Sequence, residues 1–279
     1  ILFMTDANYY AETLTNTWKS WLKRIFLGRF LFPMTAGFLC AGTANQQLYS
    51  WHGVKDEKLV PFAYSWGYEP LMSQSLELRK QKKELRRQYG LPEDSFIILY
   101  CGRLSPEKGS MELLKAYQLL THPKKTLVLV GDGRLRERME NYIQEHRLES
   151  VYFMGFQNRN DLGDFYALSD VLTLPSNKET WGLVVNEALC FSLPVVVSDQ
   201  VGAGVDLVIP NANGYIFPAG NSPALAEQIS ELMSKSEDDL RKMGDKSYSL
   251  ISKWSDRDLG VPLSEYLDSY YKPEIGYRS

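Results

Sequence analysis

From residue 95 onward, short unbroken runs of Val, Leu, Ile and Phe alternate with stretches long enough for helices, and this alternation constrains the chain most. The runs at 96–101, 126–130, 151–154, 171–174 and 194–198 lack polar alternation, so they read as strands covered on both faces. Between them, 110–120, 135–146, 160–167 and 183–190 read as helices. Repeated strand–helix order predicts an α/β fold with a doubly wound, Rossmann-like parallel sheet. Upstream, 1–5, 17–32, 37–41, 43–51 and 58–62 run strand, helix, strand, helix, strand, about half of a second α/β domain. Turn residues in Tyr64-Ser-Trp-Gly-Tyr-Glu-Pro70 place a linker at 63–75. A charged helix at 76–89 follows and stops at Gly90-Leu-Pro92. Its run Arg79-Lys-Gln-Lys-Lys-Glu-Leu-Arg-Arg87 reads as a solvated helix face, with a phosphate or membrane patch as the alternative. Residues 222–271 read as helical, broken near Gly244 and Gly260.

Composition removes several classes. A formal net charge of −3 over 279 residues gives no basic face for nucleic acid. Cys40, Cys101 and Cys190 are odd in number, far apart and set in apolar surroundings, so they read as reduced core thiols of a cytoplasmic protein. Neither they nor His52, His122 and His146 have metal-ligand spacing, and no metal site is expected. The chain opens on an apolar run at Ile1 without a basic stretch before it, so no signal peptide is expected. That opening reads like the interior of a fold, and an N-terminally truncated chain is the expectation. Residues 18–42 are the most membrane-like, yet Lys19, Lys23, Arg24, Arg29 and Pro33 interrupt them. One reading is a core helix followed by a strand. The other is peripheral membrane contact through 18–32, where Trp18, Trp21, Phe26 and Phe30 interleave with the cations.

In a doubly wound sheet, ligands bind beyond the carboxyl ends of the strands, so the residues following each strand matter most. After 96–101 comes Gly102-Arg-Leu-Ser-Pro-Glu-Lys-Gly109, which sets Arg103 and Lys108 beside a helix N-terminus, a suitable place for a diphosphate. After 126–130 comes Gly131-Asp-Gly133, lacking the third glycine and the distal acid of a dinucleotide fingerprint. It reads as a tight turn with Gly133 lining the pocket. After 151–154 comes Gly155-Phe-Gln157-Asn-Arg-Asn-Asp161, whose backbone can read a base; capping of the next helix by Asn160 or Asp161 is the alternative. After 171–174, Glu179 lies in a loop and Glu187 follows eight residues later on an otherwise apolar helix. A carboxylate there needs a partner or a ligand. The loop acid can accept bonds from sugar hydroxyls, the helical acid from both hydroxyls of a ribose. The amides of Thr180, Trp181, Gly182 and Leu183 open a helix N-terminus between them.

These residues resemble the retaining glycosyltransferases of family four, whose fold is GT-B. Gly102-Arg-Leu-Ser-Pro-Glu-Lys-Gly109 is similar to that family's Arg…Lys diphosphate loop, and Glu179…Glu187 to its paired-glutamate motif. Pro194-Val-Val-Val-Ser-Asp, Gly202…Asp206 and Asn213-Gly-Tyr-Ile-Phe-Pro218 resemble its downstream segments, and Ala41-Gly-Thr-Ala-Asn45 the end of its N-terminal domain. The resemblance implies a partial acceptor-side domain at 1–66, a complete donor-binding domain at 67–254, and a helical segment at 255–279 returning toward the first. It implies a hexosyltransferase-type enzyme that moves a sugar from a nucleotide-diphosphate sugar to a glycan, lipid or small-molecule acceptor, with retention and without metal or cofactor. Arg103, Lys108 and Glu179 would be catalytic. Gly133, Gln157, Thr180, Trp181, Gly182, Leu183 and Glu187 would join them in binding the donor, Gln157 through its backbone. Two further readings are a GT-B enzyme acting on its nucleotide sugar without an acceptor, such as an epimerase, and an inactive nucleotide-binding module. The incomplete fingerprint disfavours an NAD dehydrogenase.

Overall fold

A computed structural model describes residues 2–5, 7–9, 18–62, 68–158, 161–254 and 256–271. The chain divides into two compact units, Ile1–Gly67 with Lys253–Ser279, and Tyr68–Ser252.

The first unit holds a parallel sheet of β1 (Leu2–Met4), β2 (Gly37–Cys40) and β3 (Leu59–Pro61), in that order. Its core is aromatic: Phe32, Phe38 and Tyr49 pack with Phe3 and Leu27. Buried Asn45 accepts from the Ala41 amide at 3.0 Å and donates to the Thr5 carbonyl at 3.1 Å. This side chain satisfies backbone groups beyond the carboxyl ends of β1 and β2 that the sheet leaves unpaired. The predicted helix at 17–32 is α-helical over Trp18–Phe26, then continues as a π-helical stretch, Leu27–Leu31, and a 3-10 turn, Phe32–Met34; Thr17 lies outside the described residues. Among the described residues, no helix is long and apolar enough to cross a membrane.

The second unit holds six parallel strands: β4 (Phe96–Cys101), β5 (Lys125–Val130), β6 (Val151–Gly155), β7 (Val171–Leu174), β8 (Val195–Ser198) and β9 (Gly214–Phe217). Their order is β6-β5-β4-β7-β8-β9. The chain winds outward from β4 to β6, returns beside β4 with β7, and winds outward the other way. Ile98 and Leu99 pair with Val171 and Leu172, so Cys101 and Leu174 end their strands at one level. That is the topological switch point of a doubly wound sheet, where the loops on either side part and leave a crevice. The predicted doubly wound sheet is therefore the observed one, with β9 added. Sequence periodicity missed β9 because the strand is four residues long and opens on Gly214, leaving an apolar run of only three. The glycine is needed there, since a Cβ on it would lie 2.0 Å from the Val195 carbonyl oxygen.

Three features differ from expectation. The linker proposed at 63–75 is not a loop throughout: helix begins at Glu69 and runs to Leu78, with Pro70 in its first turn, while 63–67 lie outside the described residues. Proline is pre-organised for that position, so it starts a helix here rather than a turn. The charge run is not simply solvated. Arg86 is 5% exposed; it donates to the carbonyls of Leu168, Glu93 and Ser95 and pairs with Asp170 at 2.7 Å. Asp170 also accepts from Lys82 and from the Ile97 amide, tying the helix Lys82–Gln88, which a 3-10 turn at Arg79–Gln81 separates from the preceding one, to the starts of β4 and β7.

The C-terminal helices are Ser222–Met233, Glu237–Ile251 and Asp256–Tyr271, so the breaks fall after Met233 and Ile251, not at Gly244 or Gly260. Ser236 caps the second of these helices by accepting from the Asp239 amide, and such a cap overrides a glycine further along. Gly244 instead allows close packing: a Cβ on it would lie 2.3 Å from the Ser192 carbonyl oxygen. We expect Gly244→Ala to destabilise the protein by about 1–3 kcal/mol despite alanine's better helix propensity, because overpacking outweighs propensity. Urea unfolding checks this; a midpoint equal to or above wild type contradicts it.

Candidate active site

The loops after β4 and β7 meet at the switch point. The amides of Asn177 and Lys178 both donate to the Glu107 carbonyl, at 2.8 and 3.1 Å, and the Asn177 side chain donates to the Pro106 carbonyl. Gly109 has a left-handed φ of +65°, and a Cβ there would lie 2.0 Å from the Pro175 carbonyl oxygen. Only glycine meets both conditions, so the Ser-Pro-Glu-Lys-Gly turn is pressed directly on the following loop. Across this seam the Lys108 ammonium forms an ion pair with the Glu179 carboxylate. Both side chains are mostly buried, Glu179 to 12% exposure, and Ser176 donates to the same Glu179 oxygen at 3.3 Å.

Arg103 stands exposed at the start of the same loop. Its carbonyl accepts a 2.7 Å bond from the Tyr100 hydroxyl, which fixes the backbone that carries the guanidinium. Burial pushes the Tyr100 phenol far above its ordinary range, so it remains a donor. The Gly131-Asp-Gly133 turn packs against this loop. Leu104 donates to the Asp132 carbonyl, and a Cβ on Gly133 would lie 2.4 Å from the Leu104 carbonyl oxygen. The close approach explains both glycines without a dinucleotide.

A cavity of about 420 Å³ opens beyond the carboxyl ends of β4, β5 and β6. Its lining includes Cys101, Gly102, Arg103, Gly131 and Asp132 from the loops after β4 and β5, and Phe156, Gln157, Leu162 and Val184. No histidine lines it. Gln157, a lining residue, turns its side-chain amide back onto the Met154 carbonyl at 2.5 Å. Gly133 is not a lining residue; it supports the wall through Leu104. Of the two capping candidates, Asn160 lies outside the described residues, and Asp161 makes no side-chain cap.

Gly182, with φ of +100°, starts the helix Leu183–Cys190. Trp181 is buried, and its indole donates to Asn186 at 2.9 Å, so only its backbone is available to a ligand. The Glu187 carboxylate accepts a 2.6 Å bond from the Tyr166 hydroxyl. It lies one turn beyond Val184, a wall residue, and close enough to Cys101 to raise that thiol's pKa after burial itself. The structure thus brings Arg103, Lys108, Glu179 and the 180–183 backbone to one end of one sheet, with half-buried Glu187 one turn beyond the lining residue Val184. Sequence reasoning missed Tyr100, Ser176, Tyr166 and Phe156. Phe156 is 80% exposed at the cavity lip, next to Gln157; an aromatic after a strand-ending glycine was its only signal.

A larger cavity of about 690 Å³ lies at the opposite, amino ends of β4, β7 and β8. Lys82 and Arg86 border it, but both are committed to Asp170. Its position beneath the sheet, away from the strand ends where such folds bind ligands, sets it aside as a reaction site. Among the described residues, no group of three or more His, Cys, Asp or Glu is placed to hold a metal ion.

Comparison with known proteins identifies the family and the fold. The model of the family Glycosyl transferases group 1 matches residues 81–249, more than half of the chain. Alpha-D-kanosaminyltransferase from Streptomyces kanamyceticus is 30% identical over 160 residues, which cover 56% of this chain and 41% of that protein. N-acetyl-alpha-D-glucosaminyl L-malate synthase from Bacillus anthracis is 26% identical over 199 residues, covering 70% and 49%. The chain therefore spans about half the length of such curated relatives. The crystal structure of Anabaena HepE in complex with UDP superimposes with a TM-score of 0.80 at 21% identity, covering 96% of this chain and 72% of that one. Sucrose-phosphate synthase from Thermosynechococcus elongatus does so with 0.75 at 22%, covering 97% and 67%. Identities at this level speak to the fold, which is the Rossmann-like α/β fold of GT-B glycosyltransferases. The matched segment, the sheet order and the shared fold together make this chain a member of the glycosyl transferase group 1 family.

Proposed function

We propose that the chain binds a nucleotide-diphosphate sugar at the β4/β7 switch point and serves transfer of that sugar with retention at the anomeric carbon. The observation that carries this is the seam at Gly109–Pro175, across which Lys108 of one loop pairs with Glu179 of the next, while Arg103 stands exposed at the start of the first loop and lines the neighbouring cavity. In this reading Arg103 and Lys108 hold the diphosphate and neutralise the charge that grows on it as the sugar leaves. Preorganised charge aimed at developing charge is usually the largest catalytic contribution. Glu179 orients the donor sugar, and the 180–183 amides add their dipoles. Glu187 accepts the ribose hydroxyls, while the Gln157 backbone and the Phe156 ring meet the base. UDP and UDP-glucose are bound by HepE, which supports a donor of this class. With two fixed cations at the leaving group, the reaction proceeds without a metal.

The Lys108–Glu179 pair gives the site a testable asymmetry. Lys108→Ala removes a cation and also leaves a poorly solvated carboxylate facing the diphosphate. Arg103→Ala removes only a cation. We expect both to weaken UDP, GDP or ADP binding about tenfold or more, Lys108→Ala the more severely, with nucleoside binding changed less than about twofold. Calorimetry with nucleoside and nucleoside diphosphate checks this. Equal losses for both ligands would place the phosphates elsewhere, and no diphosphate binding by wild type would remove the reading altogether. Glu179→Ala separates a transferase from a nucleotide-binding module: in the first case it abolishes sugar transfer while diphosphate binding survives.

A second reading concerns where the protein works. Trp18 and Trp21 are 68% and 61% exposed, and Leu22, Ile25, Phe26 and Phe30 are exposed with them. The same stretch of sequence carries Lys19, Lys23, Arg24 and Arg29 and no acid. Aromatic and basic residues in this mixture fit the interface of an anionic bilayer, which implies peripheral membrane contact on the cytoplasmic side and a lipid-borne acceptor. The chain is expected to float with vesicles containing anionic phospholipid, and Trp18→Ser with Trp21→Ser to reduce that at least severalfold. Equal flotation of the double variant contradicts it, as does self-association through this face without lipid binding.

A further inference from the structure

We propose that Tyr166 is a positioning residue, holding the Glu187 carboxylate so that the site prefers a ribose bearing both hydroxyls. The inference rests on the reading of Glu187 as the ribose acceptor. Tyr166 lies on the helix Leu162–Leu168, which follows the loop of Phe156 and Gln157. Glu187 lies on the helix Leu183–Cys190, which follows the loop of Glu179. The 2.6 Å bond between them joins the element that reads the base to the element that reads the sugar.

The tyrosine itself has little freedom. It is 1% exposed, and its ring packs on Phe191 with centroids 5.5 Å apart. Burial first, then the neighbouring Cys101 and Glu187, pushes its phenol well above the ordinary range, so it stays protonated and donates. Glu187 is a long side chain with several rotamers, only partly buried. A rigid neutral donor selects one of them before a ligand arrives and leaves the negative charge in place to accept from hydroxyls. Preorganisation of this kind lowers the entropy lost on binding. Cys101 completes the arrangement: it ends β4, lines the cavity, and sits beside the Tyr166 hydroxyl. No other role is apparent for a phenol aimed from one helix at the single acid of another.

The test compares UDP with 2′,3′-dideoxy-UDP by calorimetry on wild type, Tyr166→Phe and Glu187→Ala; GDP or ADP and its dideoxy form replace UDP if either binds tighter. Phenylalanine keeps the buried ring, and a thermal melt verifies folding. Wild type is expected to prefer the ribose form about tenfold or more, as hydrogen bonds to a charged acceptor imply. Tyr166→Phe is expected to lose most of that preference by weakening UDP about three- to tenfold while leaving the dideoxy ligand unchanged. A Tyr166→Phe protein that retains the full preference, or that weakens both ligands equally, overturns the inference and leaves a packing role. Glu187→Ala reports on the underlying reading: if it keeps the wild-type preference, Glu187 is not the ribose acceptor, and the inference falls with it. If Glu187→Ala loses the preference and Tyr166→Phe does not, only the Tyr166 inference fails.

Discussion

The return of β7 to the side of β4 is the constraint on which the site depends. Because the two strands end level, their loops must leave the sheet together, and each becomes part of the other's environment. The left-handed Gly109 against Pro175 and the shared Glu107 carbonyl make that contact close. The Lys108–Glu179 pair then sits across it. A pair this buried is weak evidence for stability, since desolvation offsets much of the attraction. Its value is geometric: in the proposed reading, it holds two opposite charges where a diphosphate-linked sugar would present an anion and a hydroxyl face.

The same logic separates the two ends of the sheet. At the amino ends, Arg86 and Lys82 converge on Asp170, and the Arg86 guanidinium is spent on backbone carbonyls as well. Those charges join helix to strand. At the carboxyl ends, Arg103 is exposed, and the tyrosine hydroxyl beside it binds its carbonyl rather than its guanidinium. At the amino ends the charges serve the fold, while at the carboxyl ends Arg103 faces solvent and Lys108 pairs with Glu179 across the seam between the two loops.

Much of this was legible in the sequence, for reasons that differ by residue. Strands buried on both faces leave uninterrupted apolar runs, so β4, β5, β7 and β8 were readable to within a residue or so. Arg103, Lys108 and Glu179 could be placed at the carboxyl end of the sheet because charged residues in the loops after such strands have one place to go. What local pattern could not supply were contacts between distant segments. Gly214 reads as a strand breaker until Val195 lies against it, and Gly244 as a helix breaker until Ser192 does. Pro70 suits a turn and a first helical turn equally. Arg86 looks like its solvated neighbours until Asp170 is placed beside it. Tyr166 has no motif at all; its meaning comes from the acid 21 residues later.

A crystal structure of the chain with a bound nucleoside diphosphate tests the central claim most directly. The account predicts the β-phosphate between Arg103 and the Lys108–Glu179 seam, with the ribose toward Glu187 and the base at the Phe156 lip. A phosphate found in the basic cavity at the amino ends of the strands, or on a face remote from Glu179, would contradict it.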